Sequence, residues 1–354
     1  MAETFKTPAG RNRYDCTDEI APDRRRVMRI GIGLPAAVPD ADATALGAWA
    51  ATAERHGFAS VGVIDRLVYD NLDPLVALAA AAARTEAVEL LTTVLTVPYR
   101  RNAVVLAKQL ASVERLSGGR LTAGMALGGW PEDYEASGVP RRSLGAAMDA
   151  MLATMRSVWE GEVVGASGPI PALPPGRPRI LFGGFAPAAF ERAATIGHGW
   201  VAPSFGFESL IEGIAAVRQA WSSGGRPGHP RVVVERYFSL GDRADETADH
   251  YLAHYYGNDY FAAARADTPT DRAHLETELE RLRGAGCDDV ILLPCSDEIS
   301  QLDLLADALG GVSRATGHTE PRAEAASIQV PGAGAPSGAR SVRDVSVGAG
   351  DRRW

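Results

Sequence analysis

Four short apolar runs begin near residues 28, 58, 88 and 120 of this chain, a period of roughly thirty residues. One strand, one crossover helix and their turns take about that much sequence, so the chain repeats a single supersecondary unit. The unit is plainest between Leu90 and Trp130. Leu90 to Val97 is apolar, rich in β-branched residues and too short for a helix, and Pro98 ends it because proline has no N–H for a strand ladder. Asn102 to Leu116 then place Val105, Leu106, Gln109, Leu110, Val113 and Leu116 on one face of a helix. Ser117-Gly118-Gly119 stop that helix, and Leu121 to Leu127 form a second strand ending in Gly128-Gly129-Trp130. A strand, a crossover helix and a strand joined by tight turns make two parallel neighbours.

The same alternation runs along the chain. Met28 to Leu34 reads as the first strand, with glycines alternating on one side and leaving room for a ligand or another backbone. A helix over Ala45 to His56 precedes a strand from Phe58 to Ile64, and Asp73-Pro74 open a helix that runs to about Arg84. After Trp130 a short loop is expected, then a helix from about Leu144 to Glu160 and a Gly/Pro-rich connection to Pro178. Strands are expected at Arg179 to Phe182, Gly199 to Pro203, Arg231 to Leu240 and Asp289 to Pro294. Helices at Pro187 to Ile196, Phe207 to Trp221, within Asp245 to Ala285 and at Ile299 to Leu309 complete the series. Eight strands alternating with helices predict an α/β fold of the (β/α)8 TIM-barrel type. A doubly wound sheet would want a GxGxxG after the first strand, and IGIGLP does not supply one.

Residues 1–27 show no sustained periodicity and read as a flexible leader; 28–311 make the barrel, and 312–354, rich in Gly, Ala, Pro, Ser and Arg, read as a disordered tail. A formal charge of -8 argues against a nucleic-acid or membrane-surface role, since both need a basic face. Three cysteines without a CxxC, and histidines without an HExxH, indicate neither a disulfide framework nor a metal site. The polar N-terminus is unlike a signal peptide, and the longest apolar run, Leu75 to Ala83, is far short of a membrane span. The expectation is a cytoplasmic protein.

In a barrel of this type the active site lies at the C-terminal ends of the strands. That rule selects Asp65 and Arg66, Thr93 to Thr96, Gly128 to Asp133, Gly183-Gly184, Pro203-Ser204, Glu235 to Tyr237 and Cys295. Gly183-Gly184 ahead of a helix N-terminus is a phosphate-binding arrangement, or an ordinary strand-to-helix turn. Trp130 either lies beside a flat cofactor or packs its loop. Asp65 and Arg66 either meet a ligand or pair to close the mouth. His198 reads as a turn residue, and Cys295 as a small buried one. No GxSxG or Walker sequence appears, which counts against hydrolases and nucleoside triphosphatases.

Five segments carry a resemblance: AERHGFASVGVIDRL (53–67), TTVLTVPYRRNAVVLAKQLASVERLSGGRL (92–121), GMALGGWPEDYEASGVP (124–140), ILFGGFAPAAFERAATIGHGW (180–200) and CDDVILLPCS (287–296). In their order and spacing the chain resembles the bacterial luciferase-like family of flavin and deazaflavin oxidoreductases. The resemblance implies a barrel that binds FMN or the deazaflavin coenzyme F420 at the strand C-termini, and the compact core looks closer to the F420 users. It implies ring contact at Asp65 and a bulge at Thr93-Val94, often holding a non-prolyl cis peptide, with Thr96 nearby. Phosphate contacts would fall at Gly128, Gly129, Gly183 and Gly184, with Trp130 beside them. Family members often dimerise, and a homodimer is an expectation of the resemblance alone.

Two departures narrow the chemistry. Family dehydrogenases carry a catalytic histidine after strand two and a glutamate just after the strand-four glycine. Here those positions are Arg66 and Gly129, with Glu132 three residues later. Arginine cannot serve as a general base at physiological pH, so alcohol oxidation by that mechanism is disfavoured. A reductase needs a hydride donor and a proton donor, with Arg66 polarising the acceptor and Glu132 or Tyr69 donating the proton. The leading expectation is an F420-dependent reductase of a C=C or C=N bond in a small molecule or modified peptide. An FMN-dependent monooxygenase and a non-catalytic cofactor-binding barrel are the alternatives.

Overall fold

The computed structural model describes residues 27–311, so the expected leader up to residue 26 and the expected tail lie outside the described residues. Eight strands form the barrel: β1 (Arg29–Gly33), β2 (Ser60–Val63), β3 (Glu89–Thr96), β4 (Leu121–Ala126), β5 (Arg179–Gly183), β6 (Gly199–Ala202), β7 (Arg231–Phe238) and β8 (Asp289–Pro294). Each strand pairs in parallel with the next in sequence, and β8 returns to β1 with Arg29 opposite Asp289, which closes the barrel. The helices outside it are α1 (Leu46–His56), α2 (Pro74–Ala82), α3 (Ala103–Leu116), α4 (Pro131–Ser137), α5 (Leu144–Trp159), α6 (Pro187–Thr195), α7 (Phe207–Ser223), α8 (Ala244–Ala266), α9 (Arg272–Ala285) and α10 (Ser300–Ala308).

Local chemistry sets the boundaries. Asp73 caps α2 by accepting from the N–H groups of Leu75 and Val76, with Pro74 at the first helical position. Asn102 caps α3 by accepting from Val105 N–H at 3.0 Å. The loop expected after Trp130 is instead the helix α4. Pro131 starts it, Glu132 and Asp133 sit at its positive end, and Gly138 takes the left-handed turn that stops it. The long helical stretch before β8 divides at residues 267–271 into α8 and α9, and α8 itself breaks at Gly257, whose φ is 60°. The connection before β5 holds a two-residue hairpin pairing Val164–Gly165 with Gly168–Pro169.

Two apolar layers hold these elements. Leu91, Leu181, Val201, Val233, Ile291 and Leu293 fill the barrel interior. Trp49, Leu78, Leu106, Leu110, Phe182 and Val234 belong to the larger layer between strands and helices. Each such side chain contributes about 1.5–3 kcal/mol by leaving water. The glycine face of β1 makes room for neighbours, not for a ligand. A methyl group at Gly31 would meet Ile291 Cδ1 at 2.7 Å, and one at Gly33 would meet Leu293 Cδ2 at 2.6 Å.

The floor of the barrel is closed by charge. Arg231 donates to Glu89 at 2.6 and 2.9 Å and to Asp289 at 2.8 Å, while Arg29 lies 2.6 Å from Asp289 and 3.1 Å from Glu89. Burial pushes the Glu89 carboxyl up, but the two guanidiniums outweigh it and bring the pKa down to about 2. His198 also lies at this end, accepting from Ile180 N–H at 3.1 Å, and burial draws its pKa down to about 4. Among the described residues, no helix is long and apolar enough to cross a membrane.

Candidate active site

The mouth of the barrel begins at the end of β2. Asp65 and Arg66 leave that strand as successive residues, and both are buried, at 8% and 6% exposure. Asp65 turns toward β3: its Oδ2 accepts from Thr96 N–H at 2.8 Å and its Oδ1 from Arg100 at 3.0 Å. Burial raises its pKa, against the opposing charge of Arg100. Arg66 turns toward α4, where Nε donates to Asp133 at 3.0 Å and Nη2 to Glu132 at 2.8 Å. Its guanidinium lies 4.0 Å from the centroid of the Trp130 ring, a cation–π stack. Asp133 is fixed in turn by Val68 N–H at 2.8 Å.

The alternative in which Asp65 and Arg66 pair with each other to close the mouth is not what the structure shows: Asp65 is tied to Arg100, and Arg66 to Asp133 and Glu132. Trp130 covers the Arg66 guanidinium on one side. Glu132, expected as a proton donor, is 44% exposed on its side chain and accepts from Arg66. Tyr69, the other expected donor, has its hydroxyl 2.8 Å from His254 Nδ1, and burial pushes its pKa up to about 12.

The remaining predicted positions gather on the adjoining strands. The register of β3 shifts between Thr92 and Leu95, and the Thr93-Val94 peptide within that bulge is cis. Across the mouth on β5, a methyl group at Gly183 would approach Val94 Cγ1 to 3.1 Å, so glycine leaves a shelf beside the bulge. Gly128 has φ +75°, and a methyl there would meet Thr96 Cγ2 at 2.7 Å. Gly129 has nothing within 4 Å of the corresponding point. Gly184, with φ +109°, precedes α6, whose first turn receives no side-chain cap. Because β4 and β5 are neighbours, the two glycine pairs lie at adjacent strand ends.

On the far side of the mouth the strand-end positions Ser204, Glu235 and Cys295 are legible in the sequence, but the aromatic cover is hidden. Helix α8 brings Tyr255 and Tyr256 against Trp130, with ring centroids 5.9 and 6.2 Å away, and Tyr255 edge-on to Tyr69 at 4.9 Å. The run HYLAHYYGNDYF (250–261) carries the signal, tyrosines at helical spacing, but periodicity cannot say that this face turns toward the barrel. Below these rings Glu235 projects inward from β7. Its Oε2 lies 3.4 Å from Ser204 Oγ, while its Oε1 has no hydrogen-bond partner among the described residues. Burial pushes this carboxyl up to about 8; the hydroxyls of Thr93 and Ser204 and the charge of Arg236 pull back only in part. Cys295 is buried nearby, its thiol pushed up by burial.

These features suit a flat, polar-edged group with an anionic tail. The shelf of Gly183 and the β3 bulge admits a ring. Gly129 and Gly184 leave backbone open for close approach at an uncapped helix start, and the orphaned Glu235 oxygen offers a polar partner. A parallel eight-stranded barrel with its polar groups at the strand C-termini is the architecture of TIM-barrel enzymes. The chain belongs to the luciferase-like monooxygenase family, whose model matches residues 28–289. Members of this family are flavin- or F420-dependent oxidoreductases and monooxygenases.

Among curated relatives, a 5,10-methylenetetrahydromethanopterin reductase of Methanolobus tindarius is 28% identical over 214 residues, 57% of this chain and 64% of its own. The chain spans about three-fifths of the length of the curated relatives it matches. Among solved structures, the monooxygenase RslO1 from Streptomyces bottropensis superposes with a TM-score of 0.67 at 24% identity, covering 80% of this chain and 98% of its own. An F420-dependent secondary alcohol dehydrogenase holding an F420–acetone adduct also gives 0.67, at 17% identity, covering 80% and 99%. At such identities these structures speak for the fold alone.

Proposed function

We propose that this chain is a coenzyme F420-dependent reductase that delivers hydride to a C=C or C=N bond of a small molecule or modified peptide. The observation that carries the reading is Arg66, held 3.0 Å from Asp133 and 2.8 Å from Glu132 at the position after strand two where the resemblance would put a dehydrogenase's catalytic histidine. A guanidinium so placed cannot take up a proton, but its positive charge suits an acceptor that gains electron density. The similarity to a methylenetetrahydromethanopterin reductase supports the same direction of electron flow.

In this reading Gly183 and the Thr93-Val94 bulge would support the ring of the cofactor. Gly128, Gly129 and Gly184 would face its phosphate, with Asp65 and Thr96 fixing the adjoining strand ends. When bound, the cofactor supplies the hydride. The protein orients it, excludes water with Trp130, Tyr255 and Tyr256, and fixes the charge of Arg66. That same aromatic cover favours a second reading, an FMN-dependent monooxygenase, because a water-poor pocket protects reactive oxygen chemistry.

Fluorescence titration of the purified chain with coenzyme F420 and, separately, with FMN tests the choice. The expected result is tight binding of F420 and turnover of unsaturated acceptors with the reduced cofactor. Preference for FMN with oxygen-dependent turnover would move the assignment to the monooxygenase, and binding of neither would sink both.

A further inference from the structure

Asp65, Glu132 and Asp133 each hydrogen-bond a guanidinium, whereas the Glu235 carboxyl has no such bond among the described residues. The strand alternation explains why. Arg236, the next residue, points outward to Glu278 at 2.7 Å, leaving Glu235 and Tyr237 facing inward. The groups around Glu235 are Thr93 of β3, Ser204 beyond β6, Tyr237 of its own strand, and Tyr255 and Tyr256 of α8. The inward-facing groups are hydroxyls and phenols, and Arg66 acts on the two α8 tyrosines.

Three of these groups form a chain with Glu235. Ser204 Oγ lies 3.4 Å from Glu235 Oε2 and 3.3 Å from the Tyr256 hydroxyl, which is 3.0 Å from the Tyr237 hydroxyl. The first two separations are long for O–H···O bonds, as catalytic hydrogen bonds often are before a ligand tightens them. Ser204 donates to Oε2, so an acidic proton on the same carboxyl resides on Oε1, the oxygen with no partner. The Thr93 hydroxyl, which donates to Val63 O at 3.3 Å, also lies beside this carboxyl. Tyr256 is half-buried as a residue, with its hydroxyl held between Ser204 and Tyr237.

We propose that Glu235 is the resident acid of this mouth: it hands the Oε1 proton to the bond being reduced and recovers one through Ser204 and Tyr256. The proposal rests on the reductase reading above. Reduction of a C=C or C=N bond takes one hydride and one proton. The hydride from the reduced cofactor forms a C–H bond at one atom, the π pair moves to the other, and that atom takes the proton as the Glu235 O–H bond breaks. The carboxylate left behind takes the Ser204 proton on Oε2, Ser204 takes that of Tyr256, Tyr256 is reprotonated by water, and rotation of the carboxyl group brings the recovered proton back to the Oε1 side. Burial holds the Tyr256 phenol up at about 12, so it starts each cycle protonated. Glu132 and Tyr69 are less suited, since the first is committed to Arg66 and the second to His254.

The test is infrared difference spectroscopy of the purified full chain across pH, for wild type and Glu235→Gln, combined with cofactor titration and pH–rate profiles. The expected result is a carboxylic-acid C=O band at neutral pH that disappears toward alkaline pH, shifts in D2O and is absent from Glu235→Gln. Turnover of an unsaturated acceptor should fall roughly 10²- to 10⁴-fold in that variant, with loss of the alkaline limb. Tyr256→Phe should keep the band and enlarge the solvent isotope effect. A wild-type chain without the band would overturn the proposal, even if the glutamine variant fails to fold. An acid band in a chain that binds neither cofactor supports the resident acid and sinks the reductase reading. A cofactor that binds and turns over equally well, with an unchanged pH profile, in Glu235→Gln does the reverse.

Discussion

The two ends of the barrel handle buried carboxylates in opposite ways. At the floor, Glu89 and Asp289 share Arg29 and Arg231 at 2.6 to 3.1 Å, and the four charges cancel. At the mouth, Arg66 pairs with Asp133 and Glu132 and Arg100 with Asp65, and Glu235 keeps an oxygen without a hydrogen-bond partner among the described residues. The consequence is a carboxyl near pKa 2 at one end and one near 8 at the other. A floor whose carboxylates are all ion-paired serves stability. A mouth with an unpaired, proton-holding group is poised for chemistry, which is where perturbed carboxylates gather in enzymes.

Removing one cation from each end sharpens the contrast. Arg231→Ala leaves Glu89 and Asp289 to share Arg29 alone, and the expected loss is about 3–5 kcal/mol of unfolding free energy, the cost of breaking a buried pair. Arg66→Ala should cost less, about 1–3 kcal/mol, because Asp133 keeps the Val68 N–H and the half-exposed Glu132 turns to water. Denaturant titration of both variants decides it. Equal losses would mean that the mouth is as structural as the floor.

Acidity should pull the two ends apart. Glu89 has a depressed pKa, so its contribution is complete above about 4.5 and drains away as pH falls toward about 2. Glu235 has a raised one, so the folded state favours its acid form; that contribution is complete below about 4.5 and is lost as pH rises through about 8. The stability gap between wild type and Glu89→Gln should therefore narrow in acid. Glu235→Gln should gain on wild type as the solution becomes alkaline. Denaturation midpoints followed across pH would show parallel curves if neither carboxyl is perturbed.

The smallest effect on stability is the most direct probe of the ligand. Gly129→Ala places a methyl where nothing lies within 4 Å, so stability should change by no more than about 0.5 kcal/mol. Weaker F420 binding in that variant would place the cofactor against Gly129. Unchanged binding would move the phosphate to the Gly183-Gly184 side.

Much of the barrel is legible because its signals are local. The apolar runs, the Asp73-Pro74 start and the Gly118-Gly119 stop act within a few residues, and strand ends then point to Asp65, Arg66, Thr96 and the glycine pairs. The bulge and cis peptide at Thr93-Val94 are legible only through family resemblance. Helix α4 escapes because seven residues are too few to display a period. Tyr255 and Tyr256 escape because a helix pattern does not say which neighbour its face will meet.

By itself the sequence determined the repeating unit, the barrel and which residues stand at its rim, since hydrophobic period and turn chemistry are properties of adjacent residues. Only the tertiary structure decided the partners. Arg66 meets Asp133 across 67 positions, Arg231 meets Glu89 across 142, and Glu235 has an oxygen without a hydrogen-bond partner among the described residues. Whether a carboxylate is ion-paired or holds a proton depends on which charges chain closure brings within a few ångströms, and no local pattern encodes that distance.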